Sequence, residues 1–259
     1  VTAQATGASI ENLRLVGKGE AELAIVQNDV MDYAYNGVEL FNGEKIEGFR
    51  TLATLYPEVI QIVVSPESGI NSVADMKGKR ISVGDAGSGV EANAKQILEA
   101  YGLTFDDIQA SHLSFSESAN AYKDKQLDGF FVTAGIPNAA IQEISALQDV
   151  KIISIDDETM NKLMEQYKYY TPFTISKDTY KGMDGDAKTL AVKATLIVKK
   201  DLSDDVVYNL TKALFEKKDE LAQANAKGAE LDVNEAVQGV SVPFHPGAEK
   251  YFKEIGAIK

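Results

Sequence analysis

Cysteine is absent from all 259 residues, which excludes thiol catalysis, disulfides and cysteine-ligated metals and leaves the redox compartment undefined. Histidine is nearly absent. His112 and His245 lie far apart with no carboxylate at a metal-ligand spacing, so each reads as structural and no metal site is expected. Only three arginines occur, Arg14, Arg50 and Arg80. No apolar run approaches the roughly 20 residues of a membrane-spanning helix. No signal peptide opens the chain, although Val1 begins in mid-strand character, which suits a chain whose upstream piece has been removed. Basic residues are outnumbered 26 to 39, giving a net charge of −13, and this argues against nucleic acid or an anionic membrane surface as partner. In so acidic a chain, an anion would have to be held by local backbone donors.

Against these absences stands a hydrophobic content of 44%, enough for a sizeable core. At roughly 100–200 residues per domain, the length allows one large domain or two lobes. The most informative stretch runs from Arg80 to Ala94: a short apolar strand, a glycine-rich turn and the first turn of an amphipathic helix. Val90, Ala94, Ile97, Leu98 and Tyr101 share one face of a 3.6-residue helix, and Gly102 follows as a stop. Ser88 is placed to cap the helix, while Gly87 and Gly89 allow a tight turn and close approach of a ligand. Backbone N–H groups and the positive end of a helix dipole then converge, as anion binding requires. A strand-to-helix connection without a ligand explains the same residues. There is no Gly-Lys-Ser/Thr for a P-loop, and the glycines at 84, 87 and 89 run in the wrong order for a dinucleotide fingerprint.

Strand and helix signals alternate along the chain. Leu23 to Val26, Ile60 to Val64, Arg80 to Val83, Gly129 to Val132, Val150 to Ile155 and Ala194 to Val198 are β-rich. Asp204 to Leu221 reads as one helix capped by Ser203, with Val206, Leu210, Ala213 and Leu214 as its apolar face. The alternation predicts an α/β fold with mainly parallel sheets. Two segments echo each other as helix, acidic turn and buried strand: Ser9 to Val26 and Ser118 to Val132. Their strands end in Gln27, Asn28 and Asp29, and in Thr133, Ala134 and Gly135. Ligands of parallel sheets sit beyond such carboxyl ends, so the echo suggests two similar lobes, though helix–turn–strand units also recur by chance. Turn-rich breaks at 65–69 and 181–186 place the crossings, with residues 1–65 and 188–259 as the first lobe and 66–187 as the second.

Several segments resemble a known family. Ser72 to Gly84 is similar to the start of the second lobe in type II periplasmic binding proteins. Thr6-Gly-Ala-Ser9, Ala24-Ile-Val-Gln-Asn-Asp29, Gly84-Asp-Ala-Gly-Ser-Gly89, Val132-Thr-Ala-Gly-Ile-Pro137, Tyr169-Tyr170 and Val242-Pro-Phe-His-Pro-Gly-Ala-Glu-Lys-Tyr251 resemble the TAXI solute receptors of TRAP (tripartite ATP-independent periplasmic) transporters. The matches keep family order over nearly the whole length, and the tail from Val242 is the most specific. Family members usually open with a further strand, glycine-rich turn and helix, which this sequence does not contain.

The resemblance implies a two-lobed α/β type II periplasmic-binding-protein fold, each lobe a mainly parallel sheet flanked by helices, with the ligand cleft between lobes. It implies an extracytoplasmic receptor, in the periplasm or lipid-anchored through a removed N-terminus. Such a receptor acts as a monomer and delivers a small carboxylate or amino acid, glutamate first, to TRAP membrane subunits. No cofactor is expected. The ligand would meet Gly87, Ser88, Gly89, Val90 and Asn93 at the helix start and Thr133, Ala134 and Gly135 at a strand end. From the first lobe come Ser9, Gln27 and Asn28, with Tyr56 and Tyr170 as walls or as core residues with satisfied hydroxyls. Glu91 reads either as a carboxylate stabilised by the helix dipole or as a partner for a ligand ammonium. No arginine occurs in the segments assigned to the cleft, so no guanidinium clamp on a distal carboxylate is evident. The competing reading is an enzyme or ligand-sensing domain on the same fold. No nucleophile–base pair and no basic helix-turn-helix speak for it.

Overall fold

Five helices begin on a serine, asparagine or aspartate side chain that caps them, and a sixth on His245, whose Nδ1 accepts the Gly247 N–H at 3.2 Å. Ser88, Ser114, Asn138, Asp156 and Ser203 each accept a backbone N–H from the first turn they precede. In the computed structural model, which describes residues 2–4 and 6–259, these caps start α3 (Gly89–Ala100), α4 (Phe115–Lys123), α5 (Ala139–Leu147), α6 (Asp157–Gln166) and α7 (Asp204–Glu216). The remaining helices are α1 (Ser9–Lys18), α2 (Asn28–Asn36), α8 (Lys218–Ala224) and α9 (Pro246–Glu254). Val1, read above as mid-strand, lies outside the described residues.

The strands are β1 (Leu23–Gln27), β2 (Phe49–Val64), β3 (Arg80–Ser82), β4 (Gln109–Ser111), β5 (Gly129–Ala134), β6 (Lys151–Ile152), β7 (Thr171–Ile175) and β8 (Ala187–Lys199). The chain forms two compact units, Val1–Pro57 with Lys193–Lys259, and Glu58–Val192. It passes between them inside the long strands β2 and β8, not at the turn-rich breaks that bounded the expected lobes. An unbroken strand of 16 or 13 residues carries no turn signal where it changes unit.

In the first unit β1 is an edge strand paired antiparallel with β8, Leu23 opposite Val198 and Gln27 opposite Ala194. Its core gathers Leu52, Val198, Val207, Tyr251 and Phe252 around α7 and α9. The helix expected over Asp204 to Leu221 is two, α7 and α8, meeting at Lys217. The buried side of α7 is Val207 and Thr211; of the face assigned to it only Leu214 packs against the core, while Ala213 is exposed and Val206 and Leu210 are 47% and 36% exposed. The correct stripe is rotated by one residue, because Val206 and Val207 are adjacent and Tyr208 and Phe215 complete the inward arc.

In the second unit β3 pairs parallel with both β4 and β5, while β2 pairs antiparallel with β5 and β6, and β7 with β8. The α/β layering follows the expectation, but the pairing is mixed. Strands entering along β2 and leaving along β8 run against their neighbours. One core lies under α3 and α6, with Ile81, Ile97, Leu98 and Phe131; another lies under α4 and α5, with Tyr122, Phe130, Ile141 and Ile144.

Candidate functional site

In the second unit β3 and β5 run parallel, with Ile81 opposite Gly129 and Ser82 opposite Phe130, so β3 ends beside the start of β5, which runs on to Ala134. The chain leaves β3 through Gly84 and Gly87, both in the left-handed region at φ 92° and 75°. Gly84 admits no side chain, because a Cβ there would stand 2.6 Å from Val90 Cβ. Ser88, only 2% exposed, accepts the Glu91 N–H at 3.1 Å and so begins α3 as the sequence indicates. The N–H groups of Gly89 and Val90 take no partner among the described residues, as first-turn amides commonly do not.

Glu91 closes the rest of the turn. Its Oε2 accepts the Gly87 N–H at 2.6 Å, and its Oε1 lies 3.2 Å from His112 Nδ1. The arrangement agrees with the helix-electrostatic reading of this residue. Asp85, in the same turn, has its carboxyl pushed above the usual range by burial and by the nearby Glu117 carboxylate.

Behind this turn runs a buried chain of hydrogen bonds. Thr133 Oγ1 donates to Asn93 Oδ1 at 3.0 Å, Asn93 Nδ2 donates to the Tyr170 hydroxyl at 3.0 Å, and that hydroxyl donates to Gln96 Oε1 at 2.5 Å. Asn93, Thr133 and Tyr170 are brought together, all 4% exposed or less, and their bonds tie α3 to the end of β5. Tyr170 is a core residue with a satisfied hydroxyl, the second of its two sequence readings. Ala134 and Gly135 are half-buried at the strand end. The next turn is held by Tyr180, whose hydroxyl accepts the Asn138 N–H at 2.7 Å and donates to Gln61 Oε1. Burial pushes the Tyr180 hydroxyl up to about 12. Gln96, Gln61 and Tyr180 were missed by the sequence reading; no local spacing links them to the residues they hold.

The first unit has its own strand end. Ser9 Oγ accepts the Gln27 N–H at 3.1 Å, and Asn12 Nδ2 donates to the Ile25 carbonyl at 2.9 Å. Asn28 Oδ1 accepts the Lys193 N–H at 3.0 Å. Ser9, Gln27 and Asn28 are thus gathered and buried. The Gly7 N–H donates to Glu11 Oε2 at 2.5 Å, the same bond at the same spacing as that between Gly87 and Glu91. A glycine four residues before a glutamate was the legible signal for both. Tyr56 is half-buried, with the Lys227 ammonium 5.6 Å above its ring.

A hollow of about 630 Å³ in the second unit contains none of the expected residues. It lies where β3 and β5 begin, lined by Ser65, Arg80, Tyr122, Lys125 and Asp128. Its strongest charges neutralise each other: Arg80 and Asp128 are 2.6 Å apart, Lys125 and Glu67 3.7 Å. Among the described residues no group of three or more His, Asp and Glu could hold a metal ion, and no helix is long and apolar enough to cross a membrane.

The sequence model described as the NMT1-like family matches residues 1–256. Among solved structures, the chain is similar to the periplasmic aliphatic sulphonate binding protein SsuA from Escherichia coli, with a TM-score of 0.51 and 13% identity. That likeness covers 95% of this chain and 66% of the other, so the chain spans just under two thirds of that protein's length. A protein from Bordetella bronchiseptica RB50 is similar with a TM-score of 0.54 and 16% identity, over 98% and 77% of the two chains. A Xanthomonas citri protein bound to ATP has a TM-score of 0.51 and 12% identity, over 96% and 82%. At such identities the likeness is one of fold, that of periplasmic binding proteins.

Proposed function

The chain belongs to the NMT1-like family, and from that premise we propose that it is a solute receptor that holds a small polar molecule at the α3 turn of its second unit and hands it to the membrane subunits of a transporter. The observation that carries the proposal is the pair of amides at Gly89 and Val90, without partners among the described residues, at the end of the turn that follows the carboxyl end of β3, a strand parallel to β5. N–H groups in that position donate to an oxygen of a ligand without rearrangement. Asn93 and Thr133 fix the turn rather than touch the solute, since both are spent on each other. Ser9, Gln27 and Asn28 form a second polar strand end of the same kind in the first unit.

The resemblance to TAXI receptors favours an amino acid or small carboxylate, glutamate among them, and a TRAP permease outside the cytoplasm. The Escherichia coli relative binds aliphatic sulphonates, which makes a sulfonate the other chemistry to try. Catalysis is not part of the proposal, because the groups that converge on the turn are amides and already-bonded side chains. A thermal-shift screen of amino acids, dicarboxylates and sulfonates tests it. A ligand at 100 times its Kd adds about 2.7 kcal/mol to stability. No shift from any member of the screen would reject the reading.

A further inference from the structure

The first unit holds a hollow of its own, of about 350 Å³, where α7 ends. We propose that this hollow is a second binding site, which takes a small organic ammonium between the rings of Phe215 and Tyr251 and the carboxylates of Glu216 and Asp232. All four residues belong to the unit formed by Val1–Pro57 and Lys193–Lys259.

Tyr251 points to a ligand independently of the charges. The residue is only 5% exposed and lines the hollow, yet its hydroxyl takes no hydrogen-bond partner among the described residues. Buried polar groups normally have one. Its neighbour Tyr208 shows the satisfied alternative, donating to Glu254 Oε2 at 2.7 Å. Burial first, then the Glu216 and Glu254 carboxylates, push the Tyr251 hydroxyl above its usual range. At neutral pH it is therefore a phenol whose oxygen is free to accept an N–H.

The walls select the sign of the charge. Asp232 Oδ1 accepts the Asn234 N–H at 2.8 Å and the Glu235 N–H at 3.3 Å, bonds that hold its carboxyl below the usual range and keep it ionised. Among the described residues Glu216 pairs only with Lys212, whose Nζ is 3.8 Å away and beyond hydrogen-bond distance, so its oxygens are open to a donor. Lys218 is the one cation in the lining, against two carboxylates. The Phe215 and Tyr251 rings, within 7° of parallel at 6.3 Å, supply an apolar wall whose faces attract a cation. The volume lies at the lower end of the roughly 300–1,000 Å³ of small-molecule sites, which suits a short aliphatic amine.

The test titrates n-butylammonium, and n-butanol as its neutral counterpart, into wild type, Tyr251→Phe and Glu216→Gln at constant ionic strength, following the Val233 and Asn234 amide resonances by NMR. Wild type is expected to show saturable movement of both resonances with the amine and at least tenfold weaker binding of the alcohol. Tyr251→Phe keeps the ring and Glu216→Gln keeps the shape, and each is expected to weaken the amine at least threefold. No saturable movement in wild type would overturn the proposal. So would equal affinity for the alcohol, or either variant binding the amine as tightly as wild type.

Discussion

Replacing Tyr170 with phenylalanine separates a wall of the binding site from a structural tie. The substitution keeps the ring, its burial and its edge-on contact with Tyr167 at 6.0 Å, and removes only the hydroxyl. That hydroxyl accepts from Asn93 Nδ2 and donates to Gln96 Oε1, both buried, so the variant loses two hydrogen bonds and leaves two side chains short of a partner. A buried group left short costs about 1–3 kcal/mol. Partial re-pairing of Asn93 and Gln96 with their other neighbours puts the whole effect at about 2–4 kcal/mol. For a domain of this size 1 kcal/mol moves Tm by about 2–4 °C, so the midpoint should fall by roughly 4–16 °C. Urea unfolding monitored by circular dichroism gives the free energy, and titration of whichever solute the screen finds gives the affinity. The expected pattern is a large stability loss with affinity within about threefold of wild type, on a scale where 1.4 kcal/mol is tenfold. A variant as stable as wild type that binds tenfold more weakly would refute the reasoning, because Tyr170 would then be touching the solute.

Other outcomes follow from the same geometry. Gly84→Ala should cost about 3 kcal/mol or more, combining a left-handed backbone with a Cβ 2.6 Å from Val90, whereas Gly102→Ala, equally left-handed at φ 74° but with open space around it, should cost about 1–2 kcal/mol by denaturant unfolding. Val207→Ala should cost about 2 kcal/mol, and Val206→Lys with Leu210→Lys should stay within about 0.5 kcal/mol each; the reverse order would return α7 to the face first assigned to it. The Arg80 guanidinium, by hydrogen bond first and charge second, holds the Asp128 carboxyl below its usual range. A depressed folded pKa stabilises above the unfolded value and loses that stabilisation as pH falls through the folded value. The difference in stability between wild type and Asp128→Asn should therefore be constant from pH 7 to about 5 and shrink below about pH 4. A difference that grows on acidification would contradict the pairing.

The start of α3 was legible because every signal there is local. Ser88, the glycines at 84 and 87 and the periodicity from Val90 lie within a few residues of one another, and the structure uses each of them where its chemistry indicates. The echo of helix, turn and strand was legible for the same reason, appearing as α1 with β1 and α4 with β5. What escaped was set by contacts across the chain. Thr133 and Asn93 are 40 residues apart, and Tyr180 and Gln61 119, so no window reveals that they are bonded. In α7 the choice between Val206 and Val207 turned on what packs against the helix, namely α9 and its aromatic residues, which the helix's own pattern does not contain. The Val150 to Ile155 run is β-rich, yet only Lys151–Ile152 forms a strand; Ile153 and Ile155 each make one backbone hydrogen bond, to Ile62 and Lys188, and Ser154 between them is exposed.

The two hydrogen bonds that α1 makes to β1 bear on how the protein behaves in concentrated solution. An unpaired strand edge is a template on which a second molecule can align its own backbone. Here the outward carbonyl of Ile25 and the outward amide of Gln27 are occupied by Asn12 and Ser9, so the edge offers a newcomer two fewer places to bond, with Ile25 exposed beside them. A Ser9→Ala, Asn12→Ala double variant would strip that protection without touching the rest of the strand. The loss would register as light scattering that rises with protein concentration, even in a sample whose fold and charge are otherwise unchanged.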